Sequence, residues 1–185
     1  MQIKGAVLLA RKEFAEEHFG KEGWKEILDY LPVEDEIWLK SVIQKDEWYP
    51  FEMGKRLDDA IVRILGQGDE NIFREIGKKS AQINLTTVHH ALLTPGDPQK
   101  FMSKTGTIYK MYYDVGYREY EPTGPDSGVM TTYQAETYSV PDCLTVMGWY
   151  KEALHMCGAK SVEIKEEECR ARGGEFCRYR LNWQM

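Results

Sequence analysis

The sequence predicts an α+β fold, with a helical N-terminal half packed on a four-stranded antiparallel sheet. Three observations carry this. Apolar residues recur at helical spacing through the first 113 residues. The period then changes to two after Tyr113. One further helical stripe interrupts the strand-like segments, so the C-terminal order reads β-β-α-β-β. With 185 residues, 42% hydrophobic and 12% aromatic, the chain has enough apolar side chains for one sizeable core. Residues 1–185 therefore read as one domain, 1–113 mainly helical and 114–185 carrying the sheet.

Ile3 to Leu9 is a short apolar lead-in. A helix is expected from about Arg11 to Phe19, stopped by Gly20. Trp24, Ile27, Leu28 and Leu31 then make a second apolar face closed by Pro32. A third helix is expected over Glu34 to Gln44, ahead of a break at Trp48-Tyr49-Pro50. Met53, Leu57, Ile61, Ile64 and Leu65 form a stripe ending at Gly66, and Ile72, Phe73 and Ile76 begin another that runs through Leu85 toward Leu93. Pro95-Gly96-Asp97-Pro98 is the strongest break. Asp97 is placed to cap a helix through Phe101, Met102, Ile108 and Met111, which Gly106 weakens. Val115, Tyr117, Glu119 and Glu121 alternate with polar residues, 122–128 is a turn-rich loop, and Val129 to Tyr138 is rich in Thr, Tyr and Val. These segments read as an antiparallel pair. Pro141-Asp142 starts the last helix and Gly158 stops it. The strands that follow form a hairpin turning near Gly173.

Composition excludes several function classes. A net charge of −6 gives no general attraction to nucleic-acid phosphate. No stretch approaches the roughly 20 apolar residues of a membrane span, and the apolar run Gly5 to Ala10 is cut off by Arg11-Lys12-Glu13 before it resembles a signal peptide. Four cysteines in that context point to the reducing cytoplasm. Gly66-Gln67-Gly68 is followed by acidic residues that would repel phosphate, and no Gly-x-Ser-x-Gly elbow exists, so an enzyme is not expected.

The cysteines carry the sharpest chemistry. Cys143 and Cys157 are fourteen residues apart on one helix, so at about 1.5 Å per residue they are separated by roughly 21 Å and do not share a site. The eleven residues from Gly158 to Cys169 span roughly 36 Å as a strand, which returns the chain past the helix start. Cys169 should therefore meet Cys143, with Cys177 opposite it across the hairpin. Three thiolates and a carboxylate would suit tetrahedral zinc; buried, inert thiols are the alternative. Glu166, Glu167 and Glu168 are the candidates for the fourth ligand, with Glu166 favoured. Glu166 and Cys169 face opposite sides of a straight strand, so Glu166 can serve only if a bulge or bend lies between them.

Cys143, Glu166, Cys169 and Cys177 resemble the zinc-binding pattern of 4-vinyl-reductase domains, especially the sensor domains of phenol-responsive bacterial activators. The opening, Lys4-Gly5 through Phe19-Gly20 and Trp24, is similar to the wider superfamily of haem nitric-oxide sensors and Golgi transport-particle subunits. The resemblance implies a structural zinc beside an effector pocket and a sensor or carrier of a small hydrophobic, aromatic-type ligand. It also implies a homodimer or a separate signalling protein as the route of output. Other readings it leaves are a scaffold subunit without ligand, a haem-binding gas sensor, and a reductase of pigment biosynthesis. Haem is disfavoured because the Tyr-x-Ser-x-Arg motif of those sensors is absent. From an aromatic set that also includes Tyr109, Tyr112 and Tyr113, the residues chosen as ligand-lining are Trp24, Trp48, Tyr49, His89 and Phe101.

Overall fold

The computed structural model describes residues 1–87, 89–136 and 138–185. The helix expected to run past Leu85 and the strand expected to reach Tyr138 each cross one of the two residues outside that set, Val88 and Thr137. The N-terminal half is helical, as the apolar spacing requires. Strand β1 (Gln2–Lys4) leads into α1 (Gly5–Tyr30), which begins six residues earlier than the Arg11 start expected from the pattern and is kinked at Gly20. Gly20 has φ 72°, a left-handed value that glycine adopts freely. The chain continues through α2 (Val33–Lys40), β2 (Trp48–Pro50), α3 (Phe51–Ile64) and α4 (Ile72–Thr86). Helix α4 ends where the Thr86 and Thr87 hydroxyls bond back to the Gln82 and Ile83 carbonyls, so His89 and His90 lie in a turn after the helix.

Asp97 caps α5 (Pro98–Met102), accepting from the Lys100 N–H at 2.9 Å. A break at Ser103-Lys104, rather than at Gly106, separates α5 from α6 (Thr105–Tyr112). Strands β3 (Tyr117–Gly124) and β4 (Ser127–Tyr133) extend into the expected loop and leave a tight turn. Pro122 is tolerated there because β3 is an edge strand with a pairing irregularity between Pro122 and Gly124. Helix α7 (Val140–Met156) is capped by the Ser139 hydroxyl, and β5 (Ser161–Glu168) and β6 (Cys177–Gln184) complete the sheet. All pairs are antiparallel, in the order β3-β4-β6-β5.

Helix α7 is buried on nearly every face because it lies between α4 and the sheet. Its approach to α4 needs glycine on both sides. A Cβ on Gly77 would stand 2.1 Å from the Thr145 carbonyl oxygen, and one on Gly148 would stand 2.0 Å from that of Arg74. The helical half is tied to α7 through a buried polar cluster. Arg11 on α1 donates to both oxygens of Asp58 on α3 at 2.8 and 3.1 Å, and lies 3.8 Å from Asp142 in the first turn of α7. Tyr113 donates to Asp142 at 2.8 Å. Burial pushes Asp58 up to about 6 against the pull of Arg11.

Candidate functional site

Two features stand out, a sulfur cluster at the start of α7 and a pair of cavities at its middle. The sulfur cluster follows from local structure. Ser139 and Pro141 start α7 and place Cys143 in its first turn. The β5–β6 hairpin closes through a short 3-10 turn (Arg170–Arg172) and Gly173, whose φ of 93° is left-handed. Cys143 Sγ lies 3.6 Å from Cys169 Sγ and 3.7 Å from Cys177 Sγ, and all three are buried. A tetrahedral ion bonded to thiolates at about 2.3 Å has edges of roughly 3.8 Å, so the sulfur spacing matches one face of such a site. Cys157 is at the far end of α7, 4.0 Å from the Thr94 hydroxyl.

The strand irregularity that Glu166 needs is present. Glu166 pairs with Tyr179 and Glu168 with Arg178, so Glu167 is an extra residue in β5. Glu166 Oε1 is buried without a hydrogen-bond partner among the described residues, while Oε2 is 3.4 Å from Arg172 Nε. Burial, then the neighbouring Cys169 thiol, raise the Glu166 pKa. The thiols perturb one another: hydrogen bonds to Cys169 and Cys177 push Cys143 up, and contacts with Cys143 and Cys169 pull Cys177 down to about 3. The hydrogen bond from Cys143 lowers Cys169, but Cys177 and burial leave it raised. The trio thus favours a thiolate where a cation would sit.

The larger cavity, about 210 Å³, is walled by α1, α4, α6 and the turn after α4, with Leu9, Ile83, His89, Met111 and Tyr112 on its surface and Lys4 and Lys45 also facing it. A smaller chamber of about 50 Å³ adjoins it, sharing Ser80 and Tyr112, and reaches Arg118, Trp149 and Tyr150. His89 meets Tyr112 edge-on at 5.8 Å, Tyr112 meets Trp149 at 6.5 Å, and Trp149 meets Tyr150 at 5.0 Å. An aromatic row therefore runs from the larger cavity to the helix that carries Cys143.

Of the five residues expected to line a ligand, His89 lies on the cavity and the other four line neither space. Trp24 is packed in the core on α1. Trp48 lies under the Lys4 ammonium at 3.8 Å, and the buried Tyr49 accepts from the Gln44 N–H. Phe101 is fully buried against Trp149 and Tyr150. The alternation read through Tyr117 and Glu119 is also reversed, since Arg118 is the buried residue of that strand. Arg118, Tyr150 and Ser80 carry no motif. Tyr112 belonged to the aromatic set, but nothing in its spacing marks it as cavity wall rather than core.

A family model described as Protein of unknown function (DUF2378) matches residues 62–184, more than half of the chain. No curated protein matches. Among solved structures, the chain is similar to an Fe(II) unliganded H-NOX protein from K. algicida, with a TM-score of 0.76 and 16% identity over 98% of this chain and 97% of that one. It is also similar to an H-NOX protein from S. oneidensis in the Fe(II)NO ligation state, with a TM-score of 0.71 and 13% identity over 98% and 99%. A structure from work on heme distortion in the H-NOX family gives 0.75 and 14% over 98% and 95%. At these identities the likeness is one of fold. It corrects the expectation of zinc as the cofactor with haem disfavoured: the proteins that share this fold are described by their Fe(II) state and by heme distortion, not by zinc. The matching family is likewise DUF2378, where the cysteine pattern resembled 4-vinyl-reductase domains.

Proposed function

The chain belongs to the DUF2378 family, and we propose that within it this protein works as a sensor domain whose ligand occupies the cavity between α1, α4 and α6. The observation that carries this is the cavity itself, with an imidazole on its wall and an aromatic row leading from it to α7. The wall chemistry fits a haem: His89 supplies a nitrogen for iron, Leu9, Ile83 and Met111 an apolar surface, and Lys4 and Lys45 cations for its carboxylates. At about 210 Å³ the cavity is below the roughly 300–1,000 Å³ of typical small-molecule sites, so its walls, Tyr112 among them, would have to move apart to hold a macrocycle. When bound, a haem supplies an iron that takes a small gas ligand. His89 would hold the group, and Tyr112, edge-on to both His89 and Trp149, would link it to α7.

Titration of the purified protein with hemin tests this. A saturable one-to-one Soret band is expected, and His89→Ala should change its position and weaken binding. A spectrum that never departs from free hemin would end the haem reading.

At the start of α7, Cys143, Cys169 and Cys177 form a set able to hold a thiolate-preferring metal ion, and Glu166, whose buried Oε1 has no partner among the described residues, is the candidate for a fourth ligand. Such an ion would satisfy the buried Glu166 oxygen and pin the β5–β6 hairpin to α7. Element-resolved metal content of the purified chain checks it, and a value near zero after purification with metal present overturns it.

A further inference from the structure

Two arginines are buried, and they differ in their partners. Arg11 has Asp58, whereas no carboxylate among the described residues lies within 4.0 Å of Arg118. Arg118 Nε donates to the Thr132 hydroxyl at 2.8 Å, and its guanidinium stands over the rings of Tyr109 at 5.0 Å and Tyr150 at 5.6 Å. Aromatic faces ease the charge but accept no hydrogen bonds in its plane, so most of the five guanidinium donors lack a described acceptor. A guanidinium does not shed its proton to escape burial, and a buried charge without a partner is strongly unfavourable.

The chamber beside Arg118 is built to supply that partner. Tyr112 and Tyr150 line it with buried hydroxyls; that of Tyr112 has no hydrogen-bond partner among the described residues, while that of Tyr150, only 1% exposed, is turned to the Arg118 guanidinium. Two phenols and a guanidinium are donors facing a space of about 50 Å³, larger than the roughly 30 Å³ of one water. No acidic side chain lines it. Ser80 and Tyr112 also border the larger cavity, which offers an apolar continuation.

We infer that this chamber binds the head of a small organic carboxylate, clasped by Arg118, Tyr112 and Tyr150, with its apolar body directed toward the larger cavity. The body of that ligand rests on the larger cavity being a ligand site, while the head site stands on the chamber alone.

Thermal melting of the full chain in carboxylate-free buffer, with sodium benzoate, sodium acetate or sodium chloride added, tests the inference. Benzoate should raise the melting temperature saturably, and at lower concentration than acetate, because only benzoate has a body for the larger cavity. Chloride at matched ionic strength should do neither. Tyr112→Phe removes an unpartnered hydroxyl, so the free protein should melt unchanged or higher while the apparent Kd for benzoate rises about tenfold. Arg118→Met should abolish the response; if it does not fold, the double variant Tyr112→Phe, Tyr150→Phe carries the same test. No response to benzoate or acetate in the parent overturns the inference, as does an equal response in parent and variants. It also fails if benzoate still binds Arg118→Met. Benzoate binding without hemin binding would sink only the haem reading, and the reverse would sink only this one.

Discussion

The start of α7 and the cavities near its middle are built in different ways. At its start, three sulfur atoms come from one helix turn and one hairpin, and their spacing is set by local backbone geometry. Beside its middle, the cavity walls come from several elements, and wall residues such as Val7, Ile108, Tyr109, Val146, Trp149 and Tyr150 also belong to the packed core. A site held by short-range geometry can change only by breaking. A cavity shared among many elements can change by small movements of each, which is what a ligand-responsive region needs.

Four substitutions break or sharpen that contrast. The largest effect is expected for Cys169→Ser, which should remove bound metal and, because metal binding and folding are coupled, cost on the order of 5 kcal/mol, with melting lower by roughly 10 °C or more. Hemin affinity measured below that melting point should hold; a parallel loss would show that the two regions are one unit. Asp58→Ala leaves Arg11 buried without its partner and should cost about 3–5 kcal/mol by denaturant unfolding, with metal content unchanged. Gly148→Ala drives a methyl into the Arg74 carbonyl and should cost about 1–3 kcal/mol. Since it forces α4 and α7 apart, it should weaken hemin binding more than metal binding. The smallest effect is expected for Cys157→Ser, which should leave metal content as in the parent by elemental analysis, and any loss there would place the ion at the wrong end of the helix.

The contrast also explains what was legible in the sequence. The element order and the meeting of Cys143 with Cys169 follow from helix rise and strand reach, quantities that hold whatever the rest of the chain does. The cavity does not follow from such rules. Trp24 and Phe101 have the same composition signal as Tyr112, yet they fill the core. Arg118 was hidden for a second reason: alternation assigns a charged residue to the solvent face, and here the charge is turned inward between Tyr109 and Tyr150. The early start of α1 was missed because Ile3 to Leu9, with Gly5 inside it, reads as a short apolar lead-in rather than as helix. Gly5 sits there because a Cβ would be 2.1 Å from the Gln44 carbonyl oxygen.

The surplus residue in β5 has a consequence of its own. Without Glu167, simple alternation would already put Glu166 and Cys169 on one face, so the insertion is not needed to aim them. What a bulge adds is a bend and a stronger local twist, and this one stands just before the hairpin leaves the sheet. A chain shortened by that single residue should keep both side chains pointing inward yet swing the hairpin tip away from the first turn of α7. The closure of the sulfur triangle thus depends on an angle rather than on any one of its corners.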